Sequence, residues 1–364
     1  MSAKAGIYIH VPFCAQKCPY CDFYSGAYNA GKAASYTDAV CRNLAALPEH
    51  LPADTVYFGG GTPSLLSSVH LERMLEAIRQ RCELSADAEI TLEVNPLTAT
   101  DGKLREWHRI GINRLSFGTQ SFQPDVLRIL GRRHTPEQGI AAVQRACDAG
   151  FRNISVDLML GLCQQMEAVW LADLEQAAAL PVTHISSYLL KIEPNTPFGS
   201  NPPKMLDDDA SADRWMQMHE VLSEKGFSHY EISNFAKPGF ESRHNCKYWR
   251  LHPYYGIGPA AHSCYGGKRY AVPPDLDAFC VVPLQSAEIT EPHADTEAER
   301  IMLGLRLAEG INLSALSVSN ERLLRNAEPL MPRLIRKKDN RLCMTPEGWL
   351  VSNAVLVRLL SGIS

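Results

Sequence analysis

No run of about 18 or more apolar residues occurs in the 364-residue chain, so no membrane-spanning helix is expected. The opening residues, MSAKAGIYIHV, lack the apolar core of a secretory signal, and a cytoplasmic location is expected. An excess of positive charge is also missing. The 36 Lys and Arg stand against 40 Asp and Glu, a formal net charge of −4. A global electrostatic grip on nucleic acid is therefore not expected. Internal repeats and low-complexity tracts are absent. So is an even cysteine count: 11 cysteines, mostly scattered singly, do not make a disulfide framework. Those outside one cluster read mainly as small buried hydrophobes.

That cluster lacks a fourth member. Cys14, Cys18 and Cys21 follow one another at spacings of four and three in CAQKCPYCDF. Zinc sites and ordinary four-iron clusters take four protein ligands. Either a ligand comes from elsewhere, with His10 the nearest choice for zinc, or one position is left open. Thiolates are soft ligands that suit iron–sulfur clusters, and an open position marks a catalytic rather than a structural site.

Hydrophobic residues make up 45% of the chain, enough for one large core and a smaller one. Six short runs read as strands: 6–11, 55–61, 89–94, 113–118, 153–160 and 183–190. Amphipathic segments such as 68–82 and 136–150 separate them, the latter stopped by Gly150. Alternating strand and helix predicts a parallel sheet, and six units predict a partial (β/α)6 barrel rather than a closed one of eight. Polar and glycine signals follow each strand in turn: the cysteines, Gly59–Pro63, Glu93–Pro96, Gln120–Phe122, Asp157, and Lys191–Pro194. Residues from six strands gathered at one end predict a single shared site. The acid- and proline-rich stretch 192–210 marks a boundary. The expected organisation is 1–205 as the barrel, 206–290 as a connecting segment rich in Tyr, His and Gly, and 291–364 as a small α+β module of winged-helix type.

The C-x3-C-x2-C spacing and its barrel context resemble the radical S-adenosylmethionine superfamily. That resemblance implies a 4Fe-4S cluster on Cys14, Cys18 and Cys21. The fourth iron is left to the amino and carboxylate groups of S-adenosylmethionine, whose cleavage by one electron gives a 5′-deoxyadenosyl radical. It implies S-adenosylmethionine contacts from Tyr8, Tyr20, Gly60, Gly61, Thr62, Glu93, Gln120, Arg132 and Asp157. Glycine permits close backbone approach, and Arg suits a carboxylate.

Nearly the whole chain is similar to the group that holds oxygen-independent coproporphyrinogen III oxidases and HemW-type heme chaperones. IHVPFCAQKCPYCDF, YFGGGTPS, LSFGTQSF, LGRRH, HISSYLLKIEPNTPF, HNCKYW and YYGIGPAAH carry the likeness. Phe23, where the oxidases have a further cysteine, and the short lead-in before residue 6 favour the chaperones. The resemblance implies heme as cargo, heme-requiring clients (membrane-associated ones among them), and an electron donor. A homodimer is compatible with it; a nucleic-acid partner is not expected. The oxidase reaction, radical decarboxylation of two propionates, is the alternative, and an RNA-modifying radical enzyme is a third. His244, with Tyr248 and Trp249, matches the family's HNxxYW heme motif. Imidazole ligates heme iron and aromatic rings pack on porphyrin, but the same trio also suits a hydrogen-bonded buried cluster. His262 and Cys246 are rival ligands. The chain departs from the family at Gly161-Leu-Cys-Gln-Gln165, where GLPGQ is usual, which puts that loop's shape in question.

Overall fold

The computed structural model describes residues 3–316 and 320–362. The six expected strands form as β1 (Ala5–Val11), β2 (Leu51–Gly60), β3 (Cys82–Val94), β4 (Arg114–Gln120), β5 (Asn153–Leu160) and β6 (His184–Leu189). Each is followed by a helix: α1 (Ala30–Ala45), α2 (Ser68–Arg81), α3 (Asp101–Ile110), α4 (Pro136–Asp148), α5 (Glu167–Ala179) and α6 (Asp208–Glu224). The starts are chemically set. Asn29, Ser67, Thr100 and Asp207 cap with their side chains, and Thr135 with Gln138 makes a reciprocal capping box. Gly111, at φ +100°, ends α3 in the left-handed region that glycine adopts freely.

β1 to β6 pair in parallel and in chain order. Their side chains alternate with period two. One set, including Ile7, Ile9, Val56, Phe58, Leu92, Leu115, Phe117, Val156 and Ile185, is fully buried. It packs under helical residues such as Leu75, Ile78, Leu104 and Trp107 in one continuous core. The other set lines the concave side and is polar: Tyr8 and His10, Thr55 and Tyr57, Glu89 and Glu93, Arg114 and Ser116, Ser155 and Asp157, His184 and Ser186. A polar lining is unlike the packed apolar interior of a closed eight-stranded barrel. It suits an open barrel that holds a polar ligand.

The 206–290 segment extends this sheet at both edges. On one side β7 (Ser228–Glu231) and β8 (Asn234–Ala236) add antiparallel to β6. On the other, β9 (Tyr254–Ile257) pairs in parallel with β1, and β10 (His262–Tyr265), β11 (Lys268–Ala271) and β12 (Glu288–Glu291) continue as an antiparallel meander. The sheet reads β12-β11-β10-β9-β1-β2-β3-β4-β5-β6-β8-β7, twelve strands among the described residues. Between the two edges, the short helix α7 (Arg243–Trp249) crosses the end of the barrel remote from the cysteines.

The C-terminal residues fold as α8 (Glu297–Gly304), β13 (Ile311–Asn312), α9 (Asn320–Ala327), the hairpin β14 (Ile335–Lys338) and β15 (Arg341–Met344), then α10 (Pro346–Leu350) and α11 (Ser352–Leu359). Helix, strand, helix and a two-stranded hairpin, with β13 beside β15, make a small α+β unit. Trp349 fastens this module by donating its indole N–H to the Leu305 carbonyl, 2.8 Å away.

Candidate functional site

The cysteines leave β1 at its C-terminal end, so they sit over the mouth of the barrel. Their loop is anchored by backbone bonds from Gly26 to Pro12 and from Tyr28 to the Cys14 carbonyl. All three thiols are partly exposed. Two have polar contacts: the Thr62 hydroxyl is 3.6 Å from Cys14 Sγ, and Arg132 Nη1 is 3.5 Å from Cys18 Sγ. Thr62 and Arg132 thus each present a polar group to a cysteine sulfur. His10, the candidate fourth ligand for zinc, is engaged elsewhere. Its Nδ1 lies 3.1 Å from the Tyr8 hydroxyl, and its Nε2 donates to the Tyr24 carbonyl at 2.9 Å.

The glycine turn after β2 runs directly beneath this loop. Gly61 N donates to Val11 O at 2.8 Å, and Thr62 N donates to Phe13 O at 2.7 Å. A Cβ on Gly61 would lie 2.6 Å from Phe13 O, and one on Gly60 would meet the His10 ring at 2.8 Å. Gly60 also has φ +106°, which disfavours any side chain. The turn therefore needs glycine for its own packing against β1 as well as for approach to a ligand.

Below the mouth the polar lining supplies two half-buried carboxylates. Glu93 accepts from the Tyr57 hydroxyl (2.8 Å) and from Gly60 N (3.1 Å). Asp157 accepts from Ser116 at 3.3 Å and is also bonded by Ser186. Burial pushes both up, Glu93 to about 7 and Asp157 to about 6. Gln120, at φ +71°, and Arg132 meet around Gly118: Arg132 Nη2 donates to the Gly118 carbonyl at 2.5 Å, and a Cβ at Gly118 would lie 3.2 Å from Gln120 Nε2. Arg132 Nε is buried with no partner in the protein. Tyr20 packs beside Cys18 and Arg132, and burial raises its hydroxyl pKa. The nine residues expected to hold S-adenosylmethionine thus all lie at the mouth or in the upper lining.

His244 lies elsewhere. It is fully buried at the opposite end, where Gly6 leaves room for it: a Cβ on Gly6 would stand 3.0 Å from the imidazole. Its Nδ1 is 2.7 Å from the Thr55 hydroxyl, and its Nε2 is 2.9 Å from the Tyr248 hydroxyl. Its ring lies 5.2 Å from that of Tyr57, and its backbone N–H donates to Glu89. Trp249 carries the Arg306 guanidinium over its ring at 4.2 Å. Of the two readings of the HNxxYW segment, this geometry is that of a hydrogen-bonded buried cluster. Neither His244 nitrogen is free for iron. Cys246 is buried too, its thiol pushed up to about 12. His262 is exposed at the start of β10. Because β9 runs parallel to β1, that start falls at the cysteine end, beside His10.

Sequence reading missed Arg114, fully buried in the lining with its Nε unpaired, as well as Tyr57, Ser116 and Ser186. The period-two alternation of polar residues along all six strands would have found them. The loop in question after β5 is closed by Gln165. Its side-chain oxygen accepts from Gly161 N (2.8 Å) and Leu162 N (2.9 Å), and its amide donates to Met159 O (2.6 Å). These bonds do not involve the two exchanged residues, Cys163 and Gln164.

Comparison with known proteins agrees with this geometry. Residues 8–175 match the radical SAM superfamily, and residues 292–351 match the HemN C-terminal domain. Heme chaperone HemW of Escherichia coli K12 is 44% identical over 260 residues, 70% of this chain and 69% of that one. Heme chaperone HemW of Synechocystis is 35% identical over 98% of this chain and 96% of its own length. The solved coproporphyrinogen III oxidase (HemN) from Escherichia coli, a radical SAM enzyme, superposes with a TM-score of 0.82 over 98% of this chain and 90% of that one. Its identity is 21%, a likeness of fold.

Proposed function

The chain belongs to the HemW family of radical SAM proteins, and from that premise we propose that it is a heme chaperone, binding heme and passing it to heme-requiring client proteins. The observation that carries this reading is its likeness to proteins named heme chaperone HemW along almost their entire length. A 4Fe-4S cluster on Cys14, Cys18 and Cys21 would leave one iron for the amino and carboxylate groups of S-adenosylmethionine and would supply it with a single electron. Arg132 would then pair with the carboxylate, the Gly60–Thr62 turn would let the backbone approach the amino group, and Asp157 and Gln120 would hold the nucleoside. Glu93 fixes the turn through Gly60 N. Tyr8, Tyr20 and the buried lining keep water from this end.

For the heme iron we propose His262 rather than His244, because its ring is exposed and sits on the rim beside His10. Phe23, on the cysteine loop and 60% exposed, offers apolar surface. The test is an optical heme titration of the anaerobically reconstituted protein, followed at the Soret band. His262→Ala should weaken binding by about tenfold or more. His244→Ala should leave affinity unchanged while lowering stability by ~2–4 kcal/mol, through lost packing and bonding. The reverse pattern would restore the motif histidine as ligand. Absence of heme binding by the wild type would remove the chaperone reading and make coproporphyrinogen turnover the next assay.

A further inference from the structure

β4 does not enter the mouth as a regular strand. Its pairing with β5 slips between Phe117 and Gln120, the kind of bulge that re-aims side chains beside functional sites. Gln120 then sits at φ +71°, a left-handed conformation that disfavours any residue with a side chain. Backbone of this kind persists only where its surroundings over-determine it.

The bend is gripped on both sides. At its entry, Arg132 Nη2 donates to the Gly118 carbonyl at 2.5 Å, and His134 Nε2 donates to the Thr119 carbonyl at 3.1 Å. At its exit the grip is a single carboxylate from α5. Asp173 accepts from Ser121 Oγ at 2.5 Å, from Phe122 N at 2.8 Å and from Gln123 Nε2 at 3.1 Å. Ser121 Oγ in turn accepts from Gln123 N at 3.0 Å. The three residues that follow Gln120 are thus all tied to one side chain.

That side chain is itself fixed. Asp173 is fully buried, as are Trp170 and Leu174 on the same helix. Trp170 donates its indole N–H to the Arg214 carbonyl on α6 at 3.0 Å. Burying a carboxylate is costly, and a hydroxyl, a backbone N–H and a side-chain amide hold this one in place of a cation. The cost falls where the chain must stay bent, next to a residue expected to touch S-adenosylmethionine.

We infer that Asp173 is a positioning residue of the S-adenosylmethionine pocket: by clamping Ser121–Gln123 it holds Gln120 in its bent conformation at the mouth. The role rests on Gln120 holding the nucleoside and is independent of heme. Its effect passes through Gln120.

The test is a double-mutant cycle on the anaerobically reconstituted full chain. Calorimetry measures S-adenosylmethionine affinity, iron content checks the cluster, and hydrogen exchange by mass spectrometry follows residues 118–123. Asp173→Ala should speed exchange across that segment by about tenfold or more and weaken S-adenosylmethionine binding by about tenfold, at wild-type iron content. Gln120→Ala should weaken binding by a similar factor. The double variant should bind no more weakly than either single one. A purely structural anchor would leave affinity unchanged in Asp173→Ala, or give losses that add to about a hundredfold in the double variant. Either result overturns the inference, as does unchanged exchange. Asp173→Asn, which keeps the shape, should show the same pattern at about threefold, and it decides if Asp173→Ala fails to fold. A wild type that does not bind S-adenosylmethionine, or a Gln120→Ala variant that binds it as the wild type does, would remove the cofactor reading itself. The role of Asp173 would fall with it, whatever the exchange rates show.

Discussion

At the residue scale the candidate site balances binding against burial. The Glu93 carboxyl sits at about 7 against an ordinary 4.5, with burial as the chief cause. A raised carboxyl pKa means that the folded protein holds this proton more tightly than the unfolded chain. That contribution is complete below about pH 4.5 and is lost as pH rises through about 7. The full window is worth ~3 kcal/mol at most. Glu93→Gln removes the cost of ionisation. In urea unfolding of the cofactor-free protein, the variant should match the wild type near pH 4.5 and exceed it at pH 8, yet bind S-adenosylmethionine more weakly. Equal stability at pH 8 would show that the carboxylate is not desolvated. Gly61→Ala tests the turn. Its methyl group cannot fit 2.6 Å from Phe13 O, so the cysteine loop must shift, and iron content after reconstitution should drop by half or more. Full iron loading would mean that the turn has room to spare.

At the scale of elements, local chemistry decides which shapes survive substitution. The loop after β5 keeps its form because Gln165 answers three backbone groups from inside the protein. Gln165→Ala leaves those groups buried and unpaired, which costs ~2–4 kcal/mol. Chemical denaturation should show that loss, together with weaker S-adenosylmethionine binding, since Asp157 lies on the same strand. A change below ~0.5 kcal/mol would mean that water replaces the side chain. α7 shows the opposite case. Its histidine and tryptophan look like a ligand motif in one dimension, but Gly6, Thr55 and Glu89 on distant strands turn the histidine into a barrel plug, and Arg306 from the C-terminal module covers the tryptophan.

At the scale of the whole molecule, the parallel sheet depends on segments that come after it in sequence. β9 covers β1 in the register Gly6↔Tyr254 to Ile9↔Ile257, and β8 covers β6. A chain ending at residue 226 would expose both edges and open the end that α7 closes. It should aggregate or lose cooperative unfolding, as size-exclusion chromatography and circular dichroism would report. A monomeric, cooperatively folding fragment would show that six strands and six helices suffice. Heme binding is accordingly tested by point substitution in the full chain.

The six β/α units, the cysteine loop, the glycine turn and the residues at the strand ends are all legible in the sequence alone. Periodicity, capping and tight turns are local properties, set within a few residues. The place of His244, the covering of both sheet edges by residues 228–291, and the lining that Arg114 and Tyr57 share with Glu93 and Asp157 emerge only from the packed fold. These depend on which strands lie side by side and on how deep a group is buried. Burial is set by the whole chain at once, because the atoms that exclude water from one residue come from elements far away in sequence.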